Sequence, residues 1–144
     1  MPDSTNPSTV PLTISLKTLG FIIAKAREYD AESAPVDEGS GSNPTDDESL
    51  DILEATRDNP TRQELVGAIE SLNDDERVEL LALMWLGRGD FVAKEWEADL
   101  KLARERHDKR EAEYLASTPL LADFLEGALY ELGYSDEEME EAGA

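Results

Sequence analysis

A single histidine, no cysteine and 34 carboxylates limit the chemistry open to this chain. Without cysteine there is no thiolate ligand or nucleophile, and one imidazole cannot build a Cys₂His₂ or His₃ zinc centre. No Glu-x-x-His pair is present for a di-iron site inside a helical bundle. Neither a G-x-S-x-G elbow nor a phosphate loop nor a dinucleotide fingerprint occurs. His107 sits in the charged run RERHDKREAE, residues 104–113. An unperturbed imidazole there, titrating near ~6.5, would respond to physiological pH, but among so many charges it reads first as a half-exposed helix residue. The segment DEGSGSNPTDDE, residues 37–48, has the length of an EF-hand loop and ends in glutamate. Yet Gly39 and Gly41 occupy ligand positions and Ser42 stands where glycine is required. No catalytic, cofactor-binding or metal-binding residue is assigned. A metal-assisted enzyme using carboxylates of this loop is kept as the most distant alternative.

What remains is contact chemistry. Trp96, Leu100, Ala103, His107, Arg110 and Tyr114 recur at spacings of 4, 3, 4, 3 and 4, a coiled-coil-like stripe if one helix carries them all. The same stretch collects Lys94, Lys101, Arg104, Arg106, Lys109 and Arg110, six of the thirteen basic residues. Five acids are interleaved, so the local charge is only +1, and intramolecular i,i+4 pairing is expected to absorb it. In LALMWLGRGDF, residues 81–91, Gly87 is expected to close a helix, Arg88 and Gly89 to turn the chain, and Asp90 to cap the next helix at Phe91. The Arg-Gly-Asp is thus punctuation, and Arg88 alone lacks a structural role. Arg88, Trp96, Leu100, His107, Arg110 and Tyr114 are the partner-binding candidates. At the far end, residues 123–144 hold eight acids and no base, a solvated charge run or a mimic of nucleic-acid phosphates.

The elements that position these residues are helices. Leu16, Leu19, Ile22, Ile23, Ala26 and Tyr29 follow helical spacing behind Ser15 as N-cap. Leu50, Ile52 and Leu53 mark a short helix ending before Asn59-Pro60. Thr61/Glu64, Asn73/Glu76 and Ser135/Glu138 resemble capping boxes, and Thr118-Pro119 is a further start. Helices are expected near 61–72, 74–87, 91–116 and 119–132, with an acidic turn after them. Gly87 and Gly133 are the expected stops. The 74–87 helix is apolar nearly all round except at Glu79, which places it at the centre of a bundle. The 119–132 helix offers a broad apolar face to pack on it. No alternating run supports a strand.

Composition agrees with a single all-α domain. A chain of 144 residues hides about two-thirds of its unfolded surface, enough for a real core. The expected organisation is a loose tail over 1–12, a helical domain over 13–134 that includes a Gly/Ser/Pro/Asp-rich loop at 31–49, and an acidic tail over 135–144. The formal charge of -21 disfavours direct nucleic-acid binding and attachment to anionic membranes. The longest apolar run, Leu80 to Leu86, is seven residues, against ~20 for a membrane span. No secretory leader is expected from the polar, proline-broken start, and the absence of cysteine suits a reducing cytoplasm.

The segments FIIAKAREYD, GSNPTDDE, LALMWLGRGDF, EW at 95–96 and YLASTPLLADFLEGAL, taken in order, resemble a bacterial family, Domain of Unknown Function 3775, over about residues 16 to 133. The resemblance implies that the 37–48 loop belongs to the domain. It brings no activity, cofactor or catalytic residue. The sequence is therefore read as an all-α bundle of five or six helices, one of them long and partly exposed. It is expected to be a cytoplasmic, non-enzymatic protein that acts through protein–protein contact or self-association. An acidic regulator that mimics nucleic acid toward a basic protein is the alternative.

Overall fold

The structure, a computed structural model, describes residues 9–33 and 59–143. Among them are seven α-helices and no strand: α1 Leu16–Ser33, α2 Pro60–Glu70, α3 Asp74–Arg88, α4 Trp96–Arg106, α5 Glu111–Ala116, α6 Leu121–Glu131 and α7 Asp136–Gly143. A 3₁₀ turn, Ala93–Glu95, leads into α4. The all-α expectation holds. The expected helix at 50–58 and the 37–48 loop lie outside the described residues.

α3 is the hub. Val78 through Leu86 are all buried except Trp85, and α6, α4 and α5 pack around this helix. α1 packs on α2, α6 and α7. Glu79, the polar exception in α3, is 8% exposed. Its carboxylate accepts the Thr13 and Ile14 backbone N–H groups, both at 2.8 Å, and so holds the chain entering α1. The segment before that is also engaged. Val10 N–H donates to the Leu132 carbonyl at 3.0 Å, and the Tyr134 hydroxyl donates to the Val10 carbonyl at 2.6 Å. Val10 is thereby bonded to the α6–α7 corner. The acidic end forms α7, which packs on α1.

The helix signals divide cleanly. The Asn73/Glu76 and Ser135/Glu138 boxes are reciprocal, the Ser15 hydroxyl accepts the Thr18 N–H, and Gly133 closes α6 with φ 104°. Thr61, by contrast, does not cap α2. Asn59 does, in extended geometry before Pro60 at the first helical position, while the Thr61 hydroxyl donates to Glu32 at 2.9 Å. Thr118 does not cap α6 either. Its hydroxyl donates back to the Tyr114 carbonyl at 2.9 Å, and α6 begins after Leu120, a non-glycine residue at φ 62°.

Two larger expectations are corrected. Gly87 is not the stop of α3. The helix runs on to Arg88, and Gly89, at φ 101°, closes it by donating to the Trp85 and Leu86 carbonyls. Gly87 lies inside the helix because a Cβ there would stand 1.8 Å from the Phe124 carbonyl oxygen of α6. Nor is 91–116 one helix. It breaks at His107, whose ψ of 129° is extended, and resumes at Glu111. The Asp108 carboxylate accepts the Arg110 N–H at 2.8 Å, a side-chain turn that competes with the helix at a poor helix former.

Candidate functional site

Breaking the long helix makes an elbow between α4 and α5, and beside the elbow is a cleft of about 400 Å³. Leu81 and Trp85 of α3 and Tyr114 of α5 give it apolar walls, while Arg106, Asp108, Arg110 and Glu111 supply its polar lining. Trp85 is only half-buried, because one side of α3 near its C-terminus faces this cleft. Its ring tilts against Phe91, with centroids 6.3 Å apart.

The elbow is held by a carboxylate–imidazole–carboxylate chain. His107 Nδ1 lies 2.7 Å from Glu111 Oε1, and Nε2 lies 3.3 Å from Asp74 Oδ1 at the start of α3. Burial works against a charged His107 ring, but Glu111 and then Asp74 outweigh it and raise the imidazole pKa. Glu111 is 3% exposed. Burial pushes its carboxyl pKa up, although His107 and Arg77 pull the other way. Its second oxygen has no hydrogen-bond partner among the described residues. One imidazole between two carboxylates ties the elbow to the start of α3. No group of three or more His, Cys, Asp or Glu among the described residues is placed to hold a metal ion.

The six candidates separate into two sets. Arg88 does have a structural role, since its Nη2 and Nε donate to Asp90 Oδ2 at 2.6 and 2.9 Å, and Nη1 reaches the Tyr114 hydroxyl at 3.4 Å. Asp90 therefore serves Arg88 and caps no helix at Phe91. Arg110 and Tyr114 line the cleft, while His107 and Arg88 contact its lining residues Glu111 and Tyr114. Trp96 and Leu100 do neither, for Trp96 is 5% exposed and both pack into the core. The stripe 96–114 is consequently not one surface.

The cations of 94–110 contradict the expected internal pairing. Among the described residues none of Lys94, Lys101, Arg104, Arg106, Lys109 and Arg110 lies within ion-pair distance of a carboxylate. The elbow accounts for one expected pair, because Glu105 and Lys109 are no longer one helical turn apart; Lys101 keeps Glu97 and Glu105 at i,i+4 within α4 and is still unpaired among the described residues. Sequence reading missed Leu81, Trp85, Arg106, Asp108 and Glu111 as site residues. The usable signal was His107-Asp108 inside a charged run, two weak helix formers of which aspartate favours turns.

A third buried acid borders this side of α3. Asp99 shares the inward face of α4 with Trp96 and Ala103, is 0% exposed, and has no partner for either oxygen among the described residues. Burial first, then the charges of Asp90 and Glu95, lift its pKa to about 7.

No curated protein and no solved structure matches the chain. One family model does, over residues 62–134, from α2 to the turn after α6, which includes every residue of the cleft. The match begins beyond the 37–48 loop, so the wider resemblance from residue 16 is not covered by it. With half the chain and the whole elbow inside the match, this protein belongs to the family described as "Protein of unknown function (DUF3775)".

Proposed function

We propose that this chain is a non-enzymatic cytoplasmic protein that acts by binding a protein partner at the cleft beside the α4–α5 elbow. One observation carries the reading. Arg27, Arg62, Arg77 and Arg88 each donate hydrogen bonds within the chain, whereas Arg104, Arg106 and Arg110 have no ion-pair partner among the described residues. In a chain of net charge -21, Arg106 and Arg110, unpaired among the described residues, stand beside the aromatic walls of the cleft, where a second molecule could meet them. Arginine and aromatic side chains are also the residues that dominate protein interfaces.

Two observations weigh against the other readings. Self-association through the 96–114 stripe would need Trp96, which is 5% exposed. Phosphate mimicry by the acidic end would compete with Arg27, which already holds Asp123 and Glu126 at 3.1 Å each. The test is affinity capture from native lysate with wild type and an Arg106→Glu/Arg110→Glu variant. A partner held by wild type and lost by the variant is expected. Equal retention by both would move the contact off the elbow.

A further inference from the structure

We infer that the cleft takes a short acidic peptide segment of its partner, with one large apolar side chain set between carboxylates. This deepens the interaction reading and rests on it. Each of the cleft's acids has a partner within the chain: Asp108 accepts the Arg110 backbone N–H, and Glu111 holds His107 through one oxygen, its other oxygen being buried and without a partner among the described residues. The cations that line the cleft without an ion-pair partner among the described residues are Arg106 and Arg110. Each guanidinium is a planar fork of donors that matches a carboxylate with two parallel hydrogen bonds. Between them and α3, Leu81, Trp85 and Tyr114 form an apolar recess. The whole cleft, polar lining included, measures about 400 Å³, at the small end of ligand clefts, which run from ~300 to ~1,000 Å³. That leaves room for one anchoring side chain.

The rest of the molecule restricts the anion further. Long-range repulsion from a charge of -21 falls hardest on dense polyanions such as nucleic acid and least on a peptide of few charges. It also gives the complex an unusual kinetic signature. Beyond a Debye length, ~10 Å at 0.1 M salt, the acidic peptide meets net repulsion; within that distance it meets the two arginines. Moderate salt should therefore speed association by screening the repulsion, while dissociation also quickens as the local pairs weaken. Ordinary electrostatic steering gives slower association with salt.

The experiment measures fluorescence anisotropy and stopped-flow binding of a labelled pentapeptide, four glutamates around a central phenylalanine, to the full chain. Three controls accompany it: the same peptide with alanine at the centre, inorganic polyphosphate, and the Arg106→Gln/Arg110→Gln variant. Both arginines are exposed, so the variant should fold, and circular dichroism checks it; Tyr114→Ala supplies a second perturbation of the cleft. Supporting results are saturable binding, about tenfold weaker affinity in the arginine variant, and an association rate that rises with moderate salt. Equal affinity for the alanine peptide, tighter binding of polyphosphate, or no difference between wild type and both variants would overturn the inference. A captured partner that depends on Arg106 and Arg110 but is not displaced by the pentapeptide would also overturn it, while leaving the interaction reading in place.

Discussion

α3 separates two interfaces of opposite character. Against α6 the backbones approach so closely that only glycine fits at 87, with the Phe124 carbonyl where a Cβ would be, and Leu80, Leu83, Leu125 and Leu129 nearby in the core are 0–1% exposed. Toward α4 and α5 the same helix meets Asp99 and Glu111, buried acids with unpartnered oxygens, an extended break at His107 and an open cleft. A close-packed apolar seam resists both shape change and titration. A seam holding imperfectly satisfied carboxyl groups responds to protons and to ligands. One side of α3 thus maintains the fold, and the other side is adjustable.

Asp99 gives the largest expected effect on that contrast. Its folded pKa of about 7 is above the ordinary aspartate value, so the native state holds a proton that the unfolded chain releases. Stability from this group is complete below the unfolded value of about 3.9 and declines as pH rises toward 7, by about 4 kcal/mol in all. Urea midpoints should fall across that window in wild type and stay nearly level in Asp99→Asn. A parallel decline in the variant would place the titration elsewhere. On the other side of α3, Gly87→Ala should lower stability by about 3 kcal/mol through overpacking against α6, and equally at pH 5 and pH 8. A marked pH dependence of that loss would show that the two seams are not independent.

This asymmetry explains which parts of the structure were legible in the sequence. Apolar spacing and reciprocal caps, such as Asn73/Glu76, are local, and they located α1, α3, the α7 start and the hub position of α3. Gly87 and Gly89 were not separable by local rules. Both are glycines after an apolar run, and only the approach of Phe124 shows that one admits a neighbouring backbone while the other adopts φ 101°. The stripe from Trp96 to Tyr114 failed for a related reason. Spacing presumes a continuous helix, and a two-residue turn at Asp108 sends Trp96 into the core and Tyr114 to the cleft. The pairing of Glu105 with Lys109 is lost with it, since i,i+4 neighbours exist only where the helix does.

Glu79 provides the internal control for a buried acid, because two backbone N–H groups satisfy it. Removing the carboxylate in Glu79→Ala leaves the Thr13 and Ile14 donors without a partner and should cost about 2 kcal/mol. Amide exchange at Thr13 and Ile14 should accelerate; unchanged protection there would mean that the entry to α1 is held by packing alone.

The smallest effect belongs to His107, and it has the same sign as that of Asp99. Its pKa is raised in the fold by Glu111 and Asp74, so its contribution is complete below the unfolded imidazole value and is lost as pH rises through the folded one. His107→Gln should therefore cost about 1 kcal/mol at pH 5.5, on the scale of one hydrogen bond, and almost nothing at pH 9. If the loss were equal at both values, His107 would hold the elbow as a neutral donor to Glu111. In the expected case, each proton lost from Asp99 or His107 loosens the side of α3 that carries the cleft, while the Gly87–Phe124 seam is unaffected.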